Sequence, residues 1–142
     1  MSQGPEIDLT SLESVTVRLE EALRDYKKEP QNLYILDSVI KRFELSYIVS
    51  IRLMQRYLED YAATPPDTGA TFRDIIEMAT EYGLTQASGA DWVEYRKARN
   101  QTAHTYREEV ARELVDEASL FLPVAQFLLE SLKRKVQNES HS

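Results

Sequence analysis

The sequence contains no cysteine and only four glycines among its 142 residues. The lack of cysteine excludes disulfide bonds and thiolate metal sites, which agrees with a reducing cytoplasm. No apolar run approaches the roughly 20 residues that a membrane span requires, and the first ten residues lack the features of a secretory signal. We therefore expect a soluble cytoplasmic protein that does not associate with membranes.

Positive charge is also scarce, because 17 basic residues stand against 24 acidic ones and give a net charge of −7. Binding to nucleic acid through a broad basic surface requires many contacts to phosphate. The composition argues against such a surface. Any contact with RNA should therefore be local.

Apolar residues recur every three or four positions along most of the chain, which predicts an all-α protein. The pattern favours about five helices, near residues 10–26, 31–62, 71–82, 88–104 and 106–136. A chain of this length forms one domain. We predict a single-domain antiparallel helical bundle over residues 9–136, between a disordered N-terminus at 1–8 and a disordered tail at 137–142.

Two helix starts show the spacing of a capping box, in which a hydroxyl and an acidic side chain three residues later cap a helix reciprocally. The first is Thr10 with Glu13, and the second is Thr105 with Glu108. The second places a break between two helices near residues 104–106.

The second helix carries an apolar stripe that is wider than one seam, since Ile35, Val39, Ile48 and Leu53 flank its main row. The simplest interpretation is the core of the bundle. Part of the stripe could also meet a second subunit, so we predict a homodimer.

Basic residues concentrate in residues 92–107, which hold four of them against a single acid. This segment carries +3 while the rest of the chain carries −10. A cationic segment on an acidic protein suggests an anionic ligand. We expect Arg96, Lys97 and Arg107 to bind it.

The same segment contains Arg99, Asn100 and His104, which suit one reaction class in particular. A histidine can take the proton of a ribose 2′-hydroxyl while an arginine stabilises the charge on the attacked phosphate, so that RNA is cleaved without a metal. Asn100 could orient His104 or hold a phosphate oxygen. On an unbroken helix Arg99 and His104 lie about 140° apart, so a distortion or a second copy of the chain must bring them together.

The sequence shows no other chemical constellation. It has no set of metal ligands at the usual spacing, no glycine-rich phosphate loop and no serine nucleophile elbow. We therefore predict no metal and no cofactor.

The spacing of Arg99, His104 and Tyr106, an arginine and a histidine separated by four residues with a tyrosine two further on, resembles the signature of HEPN-domain proteins. The surrounding RNQTAHTY, together with FELSY at 43–47 and TFRDIIEMATEYGL at 71–84, is similar to the nucleotidyltransferase substrate-binding proteins. This similarity extends over roughly residues 10–135.

The resemblance implies a small helical bundle that dimerises so that two motifs line one cleft. Many such proteins are toxins, metal-independent ribonucleases paired with a minimal nucleotidyltransferase as antitoxin. The antitoxin can transfer AMP to the tyrosine of the motif. Carried over to this chain, Arg99 and His104 would be catalytic, Asn100 would support them and Tyr106 would be modified.

Two other functions remain open. The protein could be a non-catalytic subunit that binds a substrate or a nucleotide such as ATP or AMP for the nucleotidyltransferase. It could also be a structural interaction module with a decayed site. We rank the ribonuclease first because all four motif residues are present.

Overall fold

The computed structural model describes residues 7–141, with side chains as far as Gln137. It contains the helices α1 (Thr10–Lys28), α2 (Leu33–Tyr61), α3 (Phe72–Glu81), α4 (Gly89–Gln101) and α5 (Glu108–His141), with a 3₁₀ turn at Thr102–His104. No strand occurs in this part of the chain. The predicted all-α bundle of five helices is confirmed.

The ends of the chain differ in part from the prediction. The backbone of α5 remains helical to His141, past the end at 136 that apolar periodicity predicted. The N-terminal segment predicted to be disordered lies mostly outside the described residues, and Ile7, at its edge, is buried. The predicted domain boundaries stay a prediction.

Helix α1 runs antiparallel to both of the long helices. Arg42 of α2 donates to the carbonyl oxygen of Arg18 at 2.9 Å, and Ser46 donates to that of Val15 at 3.2 Å. On α5, Lys133 pairs with Glu13 of α1 at 3.0 Å. These contacts place α1, α2 and α5 side by side as the main layer of the bundle.

The centre of the core is Phe121 of α5, which is fully buried. Its ring contacts those of Phe43 and Tyr47 on α2 and those of Trp92 and Tyr95 on α4, with centroids 5.2 to 5.9 Å apart. Edge-on and tilted arrangements of this kind are the favourable ones for aromatic pairs. One side chain therefore ties three helices together.

Helices α3 and α4 each begin with a capping box. The Thr71 hydroxyl accepts the backbone N–H of Asp74, whose carboxylate accepts that of Thr71. Ser88 and Asp91 do the same for α4. These residues are where the sequence predicted the two helices to begin.

The capping box predicted at Thr10 and Glu13 is wrong. The α1 N-cap is Leu9, which forms no side-chain cap, and the backbone N–H of Thr10 donates instead to Asp8 Oδ1 at 2.9 Å. This bond lowers the pKa of the Asp8 carboxyl. The acid that precedes the helix has taken the place of the predicted hydroxyl cap.

The wide apolar stripe on α2 divides between the interior and the surface. Val39 and Leu53 are buried in the chain's own core, whereas Ile35 and Ile48 are only partly buried. The homodimer that the stripe suggested stays a prediction.

None of the helices in the described residues is long and apolar enough to cross a membrane.

Gly83 ends α3 in a left-handed conformation with φ of 75°. The N–H of Leu84 bonds to the carbonyl oxygen of Ala79 at 2.9 Å and that of Gly83 bonds to Thr80 at 3.1 Å. This is a Schellman motif, which satisfies carbonyl groups left open at the helix end. The turn brings the chain back toward α4.

Gly83→Ala should lower the free energy of unfolding by about 1–2 kcal/mol, because an L side chain is strained in this conformation. Gly89→Ala is the matched control, since a Cβ at Gly89 meets nothing within 4 Å. The control should leave stability unchanged or raise it by up to about 1 kcal/mol. Urea unfolding followed by circular dichroism measures both; equal midpoints for the two variants would contradict the prediction.

Candidate functional site

Helix α4 is held to the bundle by one face. Trp92, Tyr95 and Ala98 are buried, at intervals of three residues, and the indole N–H of Trp92 donates to the Thr85 hydroxyl at 3.0 Å. The other positions of α4 are partly or fully exposed. Docking through Trp92 and Tyr95 therefore leaves Arg96 and Asn100 exposed and Arg99 partly buried.

A groove lies where α4 meets α2 and the start of α3, with a volume of about 430 Å³. We call it the arginine groove; it is lined by Tyr47, Ile48, Ile51, Arg52, Gln55, Phe72, Arg96, Arg99 and Asn100. Three of these nine residues are arginines and none is acidic. The groove is thus a concentrated positive site on an acidic chain.

The three arginines of the groove differ in their surroundings. The Arg96 guanidinium carbon lies 4.8 Å from the centre of the Phe72 ring, a cation–π contact. Nε of Arg99 is buried without a hydrogen-bond partner in the described structure. Arg52 is exposed. Within the described residues, none of the three forms an ion pair with a carboxylate.

The Tyr47 side chain forms part of the wall of the groove and is almost fully buried. Burial raises the pKa of its phenol to about 12, although the positive charges of Arg96 and Arg99 act in the opposite direction. The hydroxyl is therefore neutral near pH 7. It can serve as a hydrogen-bond donor to an anion.

The predicted break between the last two helices is present. Helix α4 ends at Gln101, the 3₁₀ turn Thr102–His104 follows and α5 begins at Glu108. The Thr102 hydroxyl lies 2.7 Å from the carbonyl oxygen of Arg99 and 3.1 Å from Glu44 Oε2 on α2. This contact fixes the break against α2.

The capping box predicted at Thr105 and Glu108 is wrong. The Thr105 hydroxyl donates to the carbonyl oxygen of Thr102 at 3.3 Å, back into the preceding turn. Glu108 instead accepts from Arg112 at 2.8 Å. The acidic start of α5 remains, and it suits the positive end of the helix.

His104 and Tyr106 lie at the break and point outside the groove. Their rings are edge-on with centroids 6.2 Å apart. Both are exposed, Tyr106 to 82%. One chain therefore holds Arg99 and Asn100 in the arginine groove and keeps His104 and Tyr106 beside it; neither of the latter is among the lining residues.

Lys97 and Arg107, which we expected beside Arg96, lie elsewhere. They line a second groove between α4 and α5 together with three acids, Glu94, Glu113 and Glu117. Lys97 pairs with Glu94 at 3.3 Å and Arg107 pairs with Glu109 at 3.0 Å. Burial, followed by the charge of Glu94, raises the pKa of the Glu117 carboxyl. Of the three predicted ligand-binding residues, only Arg96 shares a groove with Arg99.

Arg52, Gln55 and Tyr47 of α2 also line the groove but were not predicted from the sequence. Their spacing puts them on one helical face beside Ile48 and Ile51. The sequence feature that could have indicated Arg52 is a cation on an otherwise apolar stripe of α2. A count of charges in the sequence around the motif could not reveal Arg52, which is distant from the motif in sequence.

Within the described residues, no group of three or more His, Cys, Asp or Glu side chains could hold a metal ion.

Comparison with known proteins identifies the family. Residues 7–134 match the family described as "Nucleotidyltransferase substrate binding protein like". The chain belongs to this family. The resemblance seen in the sequence is confirmed over nearly the whole described structure.

Two matches to Haemophilus influenzae, one to a named protein and one to a solved structure, bear on function. The chain is 36% identical over 104 residues to a protein named "Probable ribonuclease HepT", covering 72% of this chain and 70% of the relative. It also matches a solved structure with a TM-score of 0.81 and 30% identity, covering 89% of this chain and 99% of that one. That structure is described as the fold of a substrate binding domain of a nucleotidyltransferase.

The raised pKa of Tyr47 predicts a loss of stability at high pH. In the unfolded chain the phenol ionises near 10, but in the folded chain it stays neutral to about 12. Between these values the unfolded state loses a proton that the folded state keeps, so the free energy of unfolding should fall as pH rises. Urea unfolding at several pH values should show a smaller fall for Tyr47→Phe; parallel curves would contradict this origin.

Proposed function

We propose that this member of the family is the toxin of a HEPN and minimal-nucleotidyltransferase pair, a ribonuclease that needs no metal. The position of Arg99 carries the proposal: this side chain lines a groove that has no acid in its lining, and its Nε has no hydrogen-bond partner in the described structure. A guanidinium without a protein anion is available to a phosphate. The name of the HepT relative supports the same reaction.

The reaction follows from the side chains. His104 takes the proton of a ribose 2′-hydroxyl, and the oxygen attacks the adjacent phosphorus while the bond to the 5′-oxygen breaks. Arg99 stabilises the charge that builds on the phosphate, and Asn100, in the same groove, holds a second phosphate oxygen. The products are a 2′,3′-cyclic phosphate and a 5′-hydroxyl, whose proton comes from a second imidazolium.

A second copy of the chain is part of this proposal. One chain keeps His104 outside the groove that holds Arg99, and one histidine cannot serve as base and acid at once. Ile48 and Ile51 line the arginine groove and are only partly buried, and Leu45, one turn away on α2, is 39% exposed. A homodimer through this face of α2 covers these side chains and places two motifs along one cleft.

With a chelator present, the purified protein should cut single-stranded RNA to ends that carry a 2′,3′-cyclic phosphate. Arg99→Ala and His104→Ala should each lower the rate at least about 100-fold, because each removes one part of the charge or proton transfer. Gel electrophoresis and mass spectrometry of the products measure both the rate and the ends.

Arg73→Ala is the control, since Arg73 is exposed on α3 and pairs with Glu77 at 3.0 Å. It removes one arginine charge and should leave cleavage unchanged. Undiminished cutting by both the Arg99 and the His104 variants would remove the catalytic assignment. If sedimentation showed the active protein to have the mass of a monomer, the proposed homodimer would be contradicted.

The same proposal makes Tyr106 the acceptor of AMP from the partner nucleotidyltransferase, with ATP as the donor, in the cytoplasm. Tyr106 is exposed and lies between the 3₁₀ turn and α5, where the backbone is not helical. Transfer forms a bond from the phenol oxygen to the α-phosphorus of ATP and releases pyrophosphate. The added phosphate would lie near His104 and Arg107, where its bulk and negative charge oppose binding of an RNA phosphate.

Co-expression with the nucleotidyltransferase should add the mass of one or more AMP groups, with the first on Tyr106, and should abolish cleavage. Tyr106→Phe should lose that modification and stay active in the presence of the partner. Tyr34→Phe is the matched control, because Tyr34 is 87% exposed but lies on α2. Peptide mass spectrometry locates the group; modification of Tyr34 alone would contradict the assignment.

The second candidate is a non-catalytic subunit that holds a substrate or nucleotide for the nucleotidyltransferase. The description of the solved relative as a substrate binding domain favours it, and the arginine groove is its natural site. Tight binding of ATP or of an RNA end, with RNA left intact, separates this function from the ribonuclease.

A further inference from the structure

Arg52 lies in the arginine groove but outside the sequence motif. It comes from the middle of α2, and together with Arg96 it extends the positive lining beyond Arg99. A single phosphate held for cleavage at Arg99 leaves these two guanidinium groups unused.

Four of the eight arginines outside the groove pair with nearby acids: Arg56 with Asp60, Arg73 with Glu77, Arg107 with Glu109 and Arg112 with Glu108. Arginines without an ion pair in the described structure therefore occur elsewhere in this chain, and what distinguishes the groove is that three of them line one site without an acid. In the groove, Arg52, Arg96 and Arg99 form no ion pair within the described part of the chain. Three guanidinium groups that line one groove repel one another and are stabilised by a bound anion.

The geometry of the groove suits a phosphate attached to a nucleoside. The Arg96 guanidinium lies over the Phe72 ring, and the ring takes up none of its N–H donors in a conventional hydrogen bond. Tyr47 and Gln55, whose side chains carry uncharged donors, also line the groove. The cavity of about 430 Å³ falls within the size range of small-molecule sites.

We propose that Arg52 and Arg96 form a second phosphate subsite beside Arg99, which binds a ribonucleotide phosphate other than the one that is cut. This inference rests on the proposed function and deepens it. The phosphate belongs either to the RNA strand, next to the cleaved position, or to a free nucleotide such as AMP.

The test measures binding without cleavage. A fluorescein-labelled single strand of 2′-O-methyl RNA lacks the attacking hydroxyl, so its affinity for the full-length protein can be measured by anisotropy whether or not the protein cuts RNA. Arg52→Gln should weaken binding about tenfold, the usual effect of losing a charged hydrogen bond. The slope of log Kd against log salt concentration should fall by about 0.7, the value for one phosphate contact on a single strand.

Arg73→Gln is the matched control because it removes the same charge from exposed α3, next to Phe72, where the arginine already pairs with Glu77. It should change the affinity less than twofold. Arg52→Lys keeps the charge and loses the paired donors, so it should keep the salt slope while weakening binding. Circular dichroism checks that each variant is folded.

Competition by AMP distinguishes the two sources of the phosphate. If AMP displaces the RNA from the wild type and Arg52→Gln weakens AMP as well, the subsite accepts a free nucleotide. If only RNA binding depends on Arg52, the subsite belongs to the strand. The subsite would be overturned if Arg52→Gln and Arg73→Gln showed the same affinity and the same salt slope, both for RNA and for AMP. This result does not depend on whether the wild type cleaves RNA.

Discussion

The contact on which the site depends is the packing of the Phe121 ring against four aromatic rings from α2 and α4. Helix α4 is short and mostly polar, so its own sequence provides little reason for it to form or to stay in place. Trp92 and Tyr95 provide that reason by burying large apolar surfaces against Phe121. The rotation of α4 about its axis is then fixed, and Arg99 must face α2. Arg99 follows Tyr95 by one turn and Trp92 by two, so the aromatic packing of this side of α4 sets the position of the candidate catalytic arginine.

The second constraint is electrostatic. A chain of net charge −7 repels a polyanion at long range, although ordinary salt screens this beyond a Debye length of about 8 Å. The arginine groove acts only at short range. The second groove, which holds Lys97 and Arg107, shows the contrast, because its acids neutralise its bases. The two grooves therefore differ in charge: the one between α4 and α5 holds three acids and two bases, whereas the one facing α2 holds three arginines and no acid.

Most of the fold could be predicted from the sequence, since apolar residues repeat at helical intervals and the breaks fall at glycine, proline and polar segments. Capping was harder to predict, because any nearby oxygen can compete for the same N–H. Asp8 does so at the start of α1, and the Thr105 hydroxyl turns back to Thr102. For the site, the sequence indicated which residues near the motif are candidates, but it did not show which face of α4 each one occupies. Arg96, Arg99 and Asn100 share one side of α4 through the helical period, while Lys97 falls on the other. Arg52 could not be assigned, because only tertiary packing brings α2 beside the motif.

The shape of the arginine groove limits which nucleic acids could use it. The groove is a shallow, open depression between α2, α4 and the start of α3, and its three cations come from α2 and α4. A duplex presents its phosphates on a stiff cylinder and would bring many of them against the acidic remainder of the surface at the same time. A flexible single strand can turn one or two phosphates inward while its other charges stay in solvent. In a chain whose acids outnumber its bases, binding a small number of phosphates among unpaired arginines gains attraction without an equal cost in repulsion. Under the proposed ribonuclease function, the acidic surface and the unpaired arginines together therefore favour a single strand of RNA over a duplex.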